Sequence, residues 1–170
     1  MAVNVILVAG ICGCGKTTLG KALADKLNWH HVEADEFHSQ ENKNKMSKGI
    51  PLTDEDRFPW LQNLHIELCQ QHTSILSCSA LKASYRETLL KDLSALTIWL
   101  DISSDEAERR VASRSEHYMS PLLVQSQLDT VEMPEDALII DARTPTNQAV
   151  EKVMTYLTTA DQSDTDVPFG

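Results

Sequence analysis

Short, almost wholly apolar runs alternate along this chain with stretches in which leucine and valine return every third or fourth residue. Residues 3–9 (VNVILVA) are nearly all apolar and rich in Val, Ile and Leu, the pattern of a strand buried on both faces. Leu19, Leu23 and Leu27 then recur at a spacing of four and predict a helix that opens near Lys16. Residues 29–34 read as a short second strand. After a polar stretch, Leu61, Leu64 and Leu68 mark another helix, with Pro59 in its first turn. Residues 74–78, 96–100 and 137–140 supply three further strands. Ser103 and Glu106 form a capping-box pair before a helix running through Arg114, and Ser120-Pro121 opens the next. Val150, Val153, Met154 and Leu157 stripe the last helix. Strand and helix alternate throughout without an internal repeat. The expected fold is therefore α/β: a single domain over residues 1–158, built as a doubly wound, parallel five-stranded sheet with helices on both faces. Residues 159–170 lack an apolar period and read as a disordered tail.

Composition leaves that picture in place and removes several functions. With 170 residues, 42% hydrophobic and 24% charged, the chain suits one soluble globular domain. A formal charge of −10 repels phosphate at long range and argues against a nucleic acid or an anionic membrane as partner. The opening apolar run is too short for a secretory h-region or a membrane span. Four cysteines without a signal peptide fit a reducing compartment, so the expected location is the cytoplasm.

The stretch VAGICGCGKTTLG joins the first strand to the first helix, and Gly10 to Thr17 matches G-x-x-x-x-G-K-[ST] in the context that motif requires. Each residue type has a physical task. Glycines let successive backbone N–H groups of Gly10, Ile11, Cys12, Gly13, Cys14 and Gly15 curl inward into a phosphate nest. The helix N-terminus at Lys16, Thr17 and Thr18 adds partial positive charge there. Lys16 reaches the β- and γ-phosphates of ATP, and the Thr17 hydroxyl suits Mg²⁺. Cys12 and Cys14 fill variable positions of this loop. Cys-x-Cys is weak evidence for a metal, because Cys69 and Cys78 lie far along the chain.

A phosphate loop does not name the acceptor. Asn42-Lys43-Asn44-Lys45 ends in the wrong charge for a guanine-reading motif, and no Asp-x-x-Gly switch occurs. Motor and remodelling ATPases need larger domains and a strand-ending acidic pair. What remains is a small kinase in which the second strand ends in a carboxylate facing an acceptor hydroxyl, here at Glu33-Ala34-Asp35.

The segments EADEFH, ENKNKMSKGIPLTDEDRFPWL, CSALKASYR and RVASRSEHYMSPLLVQSQLDTVEMP resemble the gluconokinases of the shikimate-kinase-like P-loop group, in the family's order and over about residues 3–157. The resemblance implies an ATP-dependent kinase with a lid over about residues 114–123. The implied reaction is phosphorylation of D-gluconate to 6-phospho-D-gluconate, feeding carbohydrate-acid catabolism and the pentose phosphate pathway. It also implies a homodimer, and an acceptor region over about residues 35–90 that includes His38, Lys45 and Arg57.

Read as chemistry, the same positions admit two accounts each. Asp35 follows a strand end, where it can accept the acceptor's proton or merely cap a helix. Arg57 can fork onto a carboxylate or pair with Asp54 or Asp56. Trp60 can wall a sugar or fill the core. Ser79, Lys82, Tyr85 and Arg86 follow the third strand, where their donors suit gluconate, although Arg86 can equally be a solvated helix residue. Arg110 and Arg114 stand at a helix end. There they complement its dipole or, as the resemblance implies, touch the adenine face and the transferring phosphoryl group, with Arg114 catalytic beside Lys16 and Asp35. His117 matches the family's lid histidine.

Two residues depart from the family pattern: Glu33 where Asp is usual, and Glu116 where Gly is usual. A kinase for shikimate, a nucleoside monophosphate or adenylylsulfate would share the loop and lid but lack KMSKGIPLTDEDR. A non-catalytic nucleotide-binding regulator could dispense with Asp35. Finally, Cys12 and Cys14 beside Lys16 at a helix N-terminus raise the expectation of low-pKa thiols and reversible inactivation by peroxide. The competing account is inert thiols turned away from the pocket.

Overall fold

The computed structural model describes residues 2–114 and 122–163. His117, Glu116 and most of the expected lid lie outside the described residues, as do residues 164–170 of the expected tail. Five parallel strands form one sheet in the order β2-β3-β1-β4-β5. They are β1 (Val5–Ala9), β2 (His30–Glu33), β3 (Ser74–Ser77), β4 (Ala95–Asp101) and β5 (Leu138–Asp141). Helix α1 (Lys16–Leu27) follows β1, and a 3-10 turn over Ala34–Phe37 follows β2. Then come α2 (Gln40–Ser47), α3 (Asp54–Gln70), α4 (Ala83–Leu90), α5 (Ser104–Ala112), α6 (Leu122–Thr130) and α7 (Thr146–Ser163).

Strand alternation divides the core in two. Val5, Leu7 and Ala9 face Trp60, Leu64, Leu68, Tyr85, Leu89 and Val111, the layer built from α3, α4 and α5. Ile6 and Val8 face Leu19, Leu23, Ala149, Val150 and Val153 of α1 and α7. The doubly wound sheet expected from the sequence is thus present, and every residue of β1 is buried because both faces are covered. The helix after β1 lies on one face and the helix after β3 on the other. A crevice therefore opens above the carboxyl ends of these neighbouring strands, the usual ligand site of such sheets.

Several boundaries differ from those the pattern predicts. Helix α3 starts five residues before Pro59, because Thr53 and Asp56 close a reciprocal capping box at 3.1 and 2.9 Å. Pro59 sits in the second turn, and the Glu55 carbonyl it cannot bond belongs to an exposed residue that water can reach. Helix α2 was not predicted, since QENKNKMS has no apolar period; Ser39 caps it through the Asn42 N–H at 3.1 Å. Helix α4 presents mainly Tyr85, Arg86 and Leu89 inward, too few for a stripe. Helix α5 stops at Ala112 rather than running through Arg114. Residues 159–163, expected in the disordered tail, continue α7.

Helix α1 lies against β3 at Gly20. The Ser77 hydroxyl donates to the Lys16 carbonyl at 3.0 Å and meets His31 Nε2 at 2.9 Å, filling the space beneath the helix. A Cβ on Gly20 would stand 2.2 Å from Ser77 Oγ and 2.9 Å from His31 Nε2. Gly20→Ala gains about 1 kcal/mol of helix propensity but overpacks this contact by about 1–3 kcal/mol. Urea denaturation should show a net loss of stability, whereas a stabilised variant would mean that α1 can lift away from β3 without penalty.

Candidate active site

The loop after β1 places Gly13 at φ 82° and Gly15 at φ 95°, left-handed conformations, before α1 begins, and of the amides expected in the nest those of Gly10, Cys12 and Cys14 are bonded to protein acceptors, Cys14 N–H to the Ile11 carbonyl at 3.4 Å. Three contacts from elsewhere hold the loop: Gly10 N–H donates to the Ser79 carbonyl at 3.3 Å, Cys12 N–H to Gln127 Oε1 at 2.7 Å, and Arg110 Nη1 to the Gly13 carbonyl at 3.3 Å. The Lys16 ammonium folds back onto the Ile11 carbonyl at 3.0 Å. Burial opposes its charge, but the negative field of Asp35 and of the neighbouring sulfurs, Cys14 foremost, outweighs that push and raises its pKa. Lysine is held as a cation where phosphate would bind.

Above this loop lies a cavity lined by Gly15, Lys16, Thr17, Thr18, Glu33 and Arg114, among others, enclosing about 650 Å³ with its mouth. A second cavity of about 550 Å³ is lined by Asp35, His38, Arg57, Trp60, Tyr85 and the apolar Met46-to-Leu52 side. Asp35, Ser79 and Gln127 line both cavities, so the two meet there. A shallower hollow behind the loop is lined by Thr18, Arg110, Arg114 and Ala142. Arg110 spans it, bonding Glu106 at 2.8 Å and the Ala142 carbonyl at 3.2 Å.

Asp35 sits inside the 3-10 turn and caps no helix; the cap before that turn is Glu33 and the cap before α2 is Ser39. Glu33 bonds the Thr17 hydroxyl at 2.5 Å, and its pKa is raised by burial despite that bond. This pair offers hard oxygen donors beside the phosphate loop and so fits a magnesium ion. Trp60 is buried in the core and also lines the second cavity: it donates from Nε1 to the Ala34 carbonyl at 2.8 Å and stacks on His38 with ring centroids 4.0 Å apart. Burial lowers the His38 pKa to about 4, against the pull of Asp35, so the ring is neutral at pH 7.

The cations divide between site and scaffold. Arg57 lines the acceptor cavity, donating to the Leu52 carbonyl and to Tyr85 Oη at 2.5 and 3.3 Å. Asp54, expected as a partner for Arg57, instead takes Tyr85 Oη–H and the Lys82 ammonium, the latter at 3.1 Å. Lys82 is held beside the cavity, outside its lining. Lys45 is bound to Asp56 at 2.9 Å, ties α2 to α3 and lies outside the lining of both cavities. Arg86, expected to bind substrate or to be solvated, is not solvated and lies outside the lining of both cavities. It is buried and donates to the carbonyls of Ala80, Leu81 and Glu132 at 2.8, 3.2 and 2.8 Å. Ala80 has φ 44°, unusual for a residue with a Cβ, so Arg86 clamps a strained backbone next to Ser79.

The thiols correct another expectation. Cys12 and Cys14 are buried, Cys14 within the core, and burial raises the Cys12 pKa against the attraction of Lys16. Burial shields both sulfurs from peroxide, and the raised pKa further disfavours the reactive thiolate at Cys12.

A family model described as shikimate kinase matches residues 12–166. The gluconokinase of Gluconobacter oxydans is 45% identical over 136 residues, covering 77% of this chain and 76% of that protein. A probable gluconokinase of Xenopus tropicalis is 41% identical over 76% of this chain and 79% of its own length. The chain belongs to the shikimate kinase family, among the gluconokinases. The crystal structure of a gluconokinase from Sinorhizobium meliloti superposes with a TM-score of 0.85 at 33% identity, covering 96% of this chain and 97% of that one. Family membership carries nucleotide use with it, and among the described residues no helix is long and apolar enough to cross a membrane.

Two measurements probe this geometry. The native protein should show one fast-reacting thiol toward Ellman's reagent, exposed Cys69, with the other three appearing only on denaturation, and mild peroxide should leave activity intact. Rapid reaction of a second thiol would overturn the buried placement of Cys12 and Cys14. For His38, the unfolded ring titrates near pH 6.5 and the folded one near 4, so the unfolded state binds more protons between those values. Stability from neutral His38 is complete above pH 6.5 and falls as the pH drops toward 4. His38→Gln should flatten denaturation midpoints across that window; an unchanged slope would assign the acid sensitivity elsewhere.

Proposed function

We propose that this protein catalyses transfer of the γ-phosphoryl group of ATP to the 6-hydroxyl of D-gluconate. The observation that carries the reading is the meeting of a phosphate-loop cavity and a cation-bearing acceptor cavity at the carboxylate of Asp35. Its support comes equally from the gluconokinases to which the chain is related.

A sugar acid needs a cation for its carboxylate and several polar partners for its hydroxyls. Arg57 presents a planar fork for the carboxylate, with Lys82 beside it across Tyr85. Neutral His38, Ser79 and Tyr85 offer donors and acceptors to the hydroxyls, while Trp60 backs the wall. Asp35 then stands where the terminal hydroxyl enters the phosphate cavity. It orients that hydroxyl and receives its proton as the oxygen attacks phosphorus, a new P–O bond forming while the bond to the ADP oxygen breaks. Lys16 balances charge on the β- and γ-phosphate oxygens through this exchange. Arg114 lines both the phosphate cavity and the hollow behind the loop, a position suited to the nucleotide's phosphates. Arg110 and Thr18 bound the same hollow, which we assign to the rest of the nucleotide. Thr17 and Glu33 would hold magnesium, which supplies charge neutralisation between phosphate oxygens when bound. The family resemblance adds a homodimer to the reading, and the free cysteines suit a reducing cytoplasm.

With Mg-ATP the protein should phosphorylate D-gluconate well above shikimate or AMP, measured as phosphorylated product; equal transfer to shikimate would defeat the assignment. Lys16→Ala should abolish transfer. Asp35→Asn should lower kcat by about 10²–10⁴-fold with a much smaller change in the KM for ATP. Near-normal turnover in Asp35→Asn would remove it from the chemistry.

A further inference from the structure

Helix α6 directs Val124, Gln127 and Leu128 inward, with Val131 just past its end on the same core, and Gln127 is the polar member of that stripe. Val124 is fully buried, Leu128 and Val131 pack on the same core, and Gln127 is only 8% exposed. A carboxamide at such a position loses its water and must find protein partners. Its Oε1 accepts the Cys12 N–H at 2.7 Å, joining positions 115 residues apart. The docking of α6 has other anchors. Beyond its C-terminus, Glu132 N–H donates to the Leu81 carbonyl at 2.9 Å, and Glu132 Oε2 accepts from Ala83 N–H at 2.8 Å. Val124 holds the helix against the core by apolar contact. The bond to Cys12 therefore fixes the loop more than the helix, on the side where phosphate and acceptor cavities meet beside Asp35 and Ser79.

We propose that Gln127 is a positioning residue for phosphoryl transfer: by holding the Cys12 amide it fixes the wall of the phosphate loop that faces the acceptor and keeps water out of the path between the two cavities. The proposal rests on the transfer reaction assigned above. The groups that grip the nucleotide have restraints of their own besides this bond: Lys16 is held by the Ile11 carbonyl and Thr17 by Glu33. Loss of Gln127 should consequently separate two quantities that a general loss of structure would lower together.

The test is steady-state kinetics of Gln127→Leu, which keeps the volume and removes the acceptor oxygen, alongside Gln127→Asn, which keeps the amide but shortens its reach. Phosphorylated product and total ADP are followed in the same reactions. We expect kcat for transfer to fall at least 10-fold in the leucine variant and several-fold in the asparagine variant. The KM for ATP should stay within 3-fold, and the share of ADP unmatched by phosphorylated gluconate should rise in both. Should the leucine variant not fold, the asparagine variant alone decides. Unchanged kcat and coupling would overturn the proposal, and so would a parallel loss of kcat and ATP affinity. If wild type proved inactive on gluconate but active on another acceptor, the functional reading would fail, and the same kinetic split could be read on that acceptor.

Discussion

A cradle of backbone amides binds phosphate only while its chain is prevented from collapsing onto itself. Here the loop after β1 is restrained from three directions, by the Ser79 carbonyl beyond β3, by Gln127 on α6 and by Arg110 on α5. Each restraint comes from an element that also walls a cavity. Ser79 and Gln127 border the acceptor and phosphate spaces, and Arg110 borders the hollow behind the loop. The geometry of the phosphate site and that of its neighbours are thus one constraint. A displacement of α5 or α6 would reach the loop through a single hydrogen bond.

That coupling explains which parts of the molecule a sequence can disclose. Buried parallel strands must be apolar on both faces, so VILVA and ALTIWLD reveal themselves, and with them the sheet. The phosphate loop is legible because its glycines and lysine are fixed by backbone geometry rather than by distant partners. Helices α2 and α4 were invisible, one lacking an apolar face and the other held by Arg86 and two inward rings or chains rather than a stripe. Gln127 carries a faint signal, a polar residue at an inward position between Val124 and Leu128, that means something only once the loop lies opposite.

The polar residues were harder to assign than the apolar ones, and for a physical reason. A cation in a polar block can bind substrate or satisfy the fold, and both uses require the same side chain. Arg86 neutralises the carbonyls of a strained turn, Lys45 fastens two helices, and Arg57 alone of the three reaches the cavity. Whether a charge serves the site depends on which carboxylates and carbonyls stand closer, information held in the packing. The thiols show the same limit. Proximity to Lys16 favours a reactive Cys12, yet desolvation outweighs it.

The cluster of Arg57, Lys82, Tyr85 and Asp54 has a kinetic corollary. Two cations and one carboxylate leave a single local positive charge in a chain whose formal charge is −10. Beyond about one Debye length, roughly 10 Å at 0.1 M salt, an approaching anion is screened from the protein; inside that distance the spread negative charge of the chain repels it while the cluster attracts it at close range. Added salt damps the distant repulsion more than the short-range attraction. Encounter with a small acid should therefore quicken as ionic strength rises, the reverse of the behaviour of an electrostatically steered enzyme.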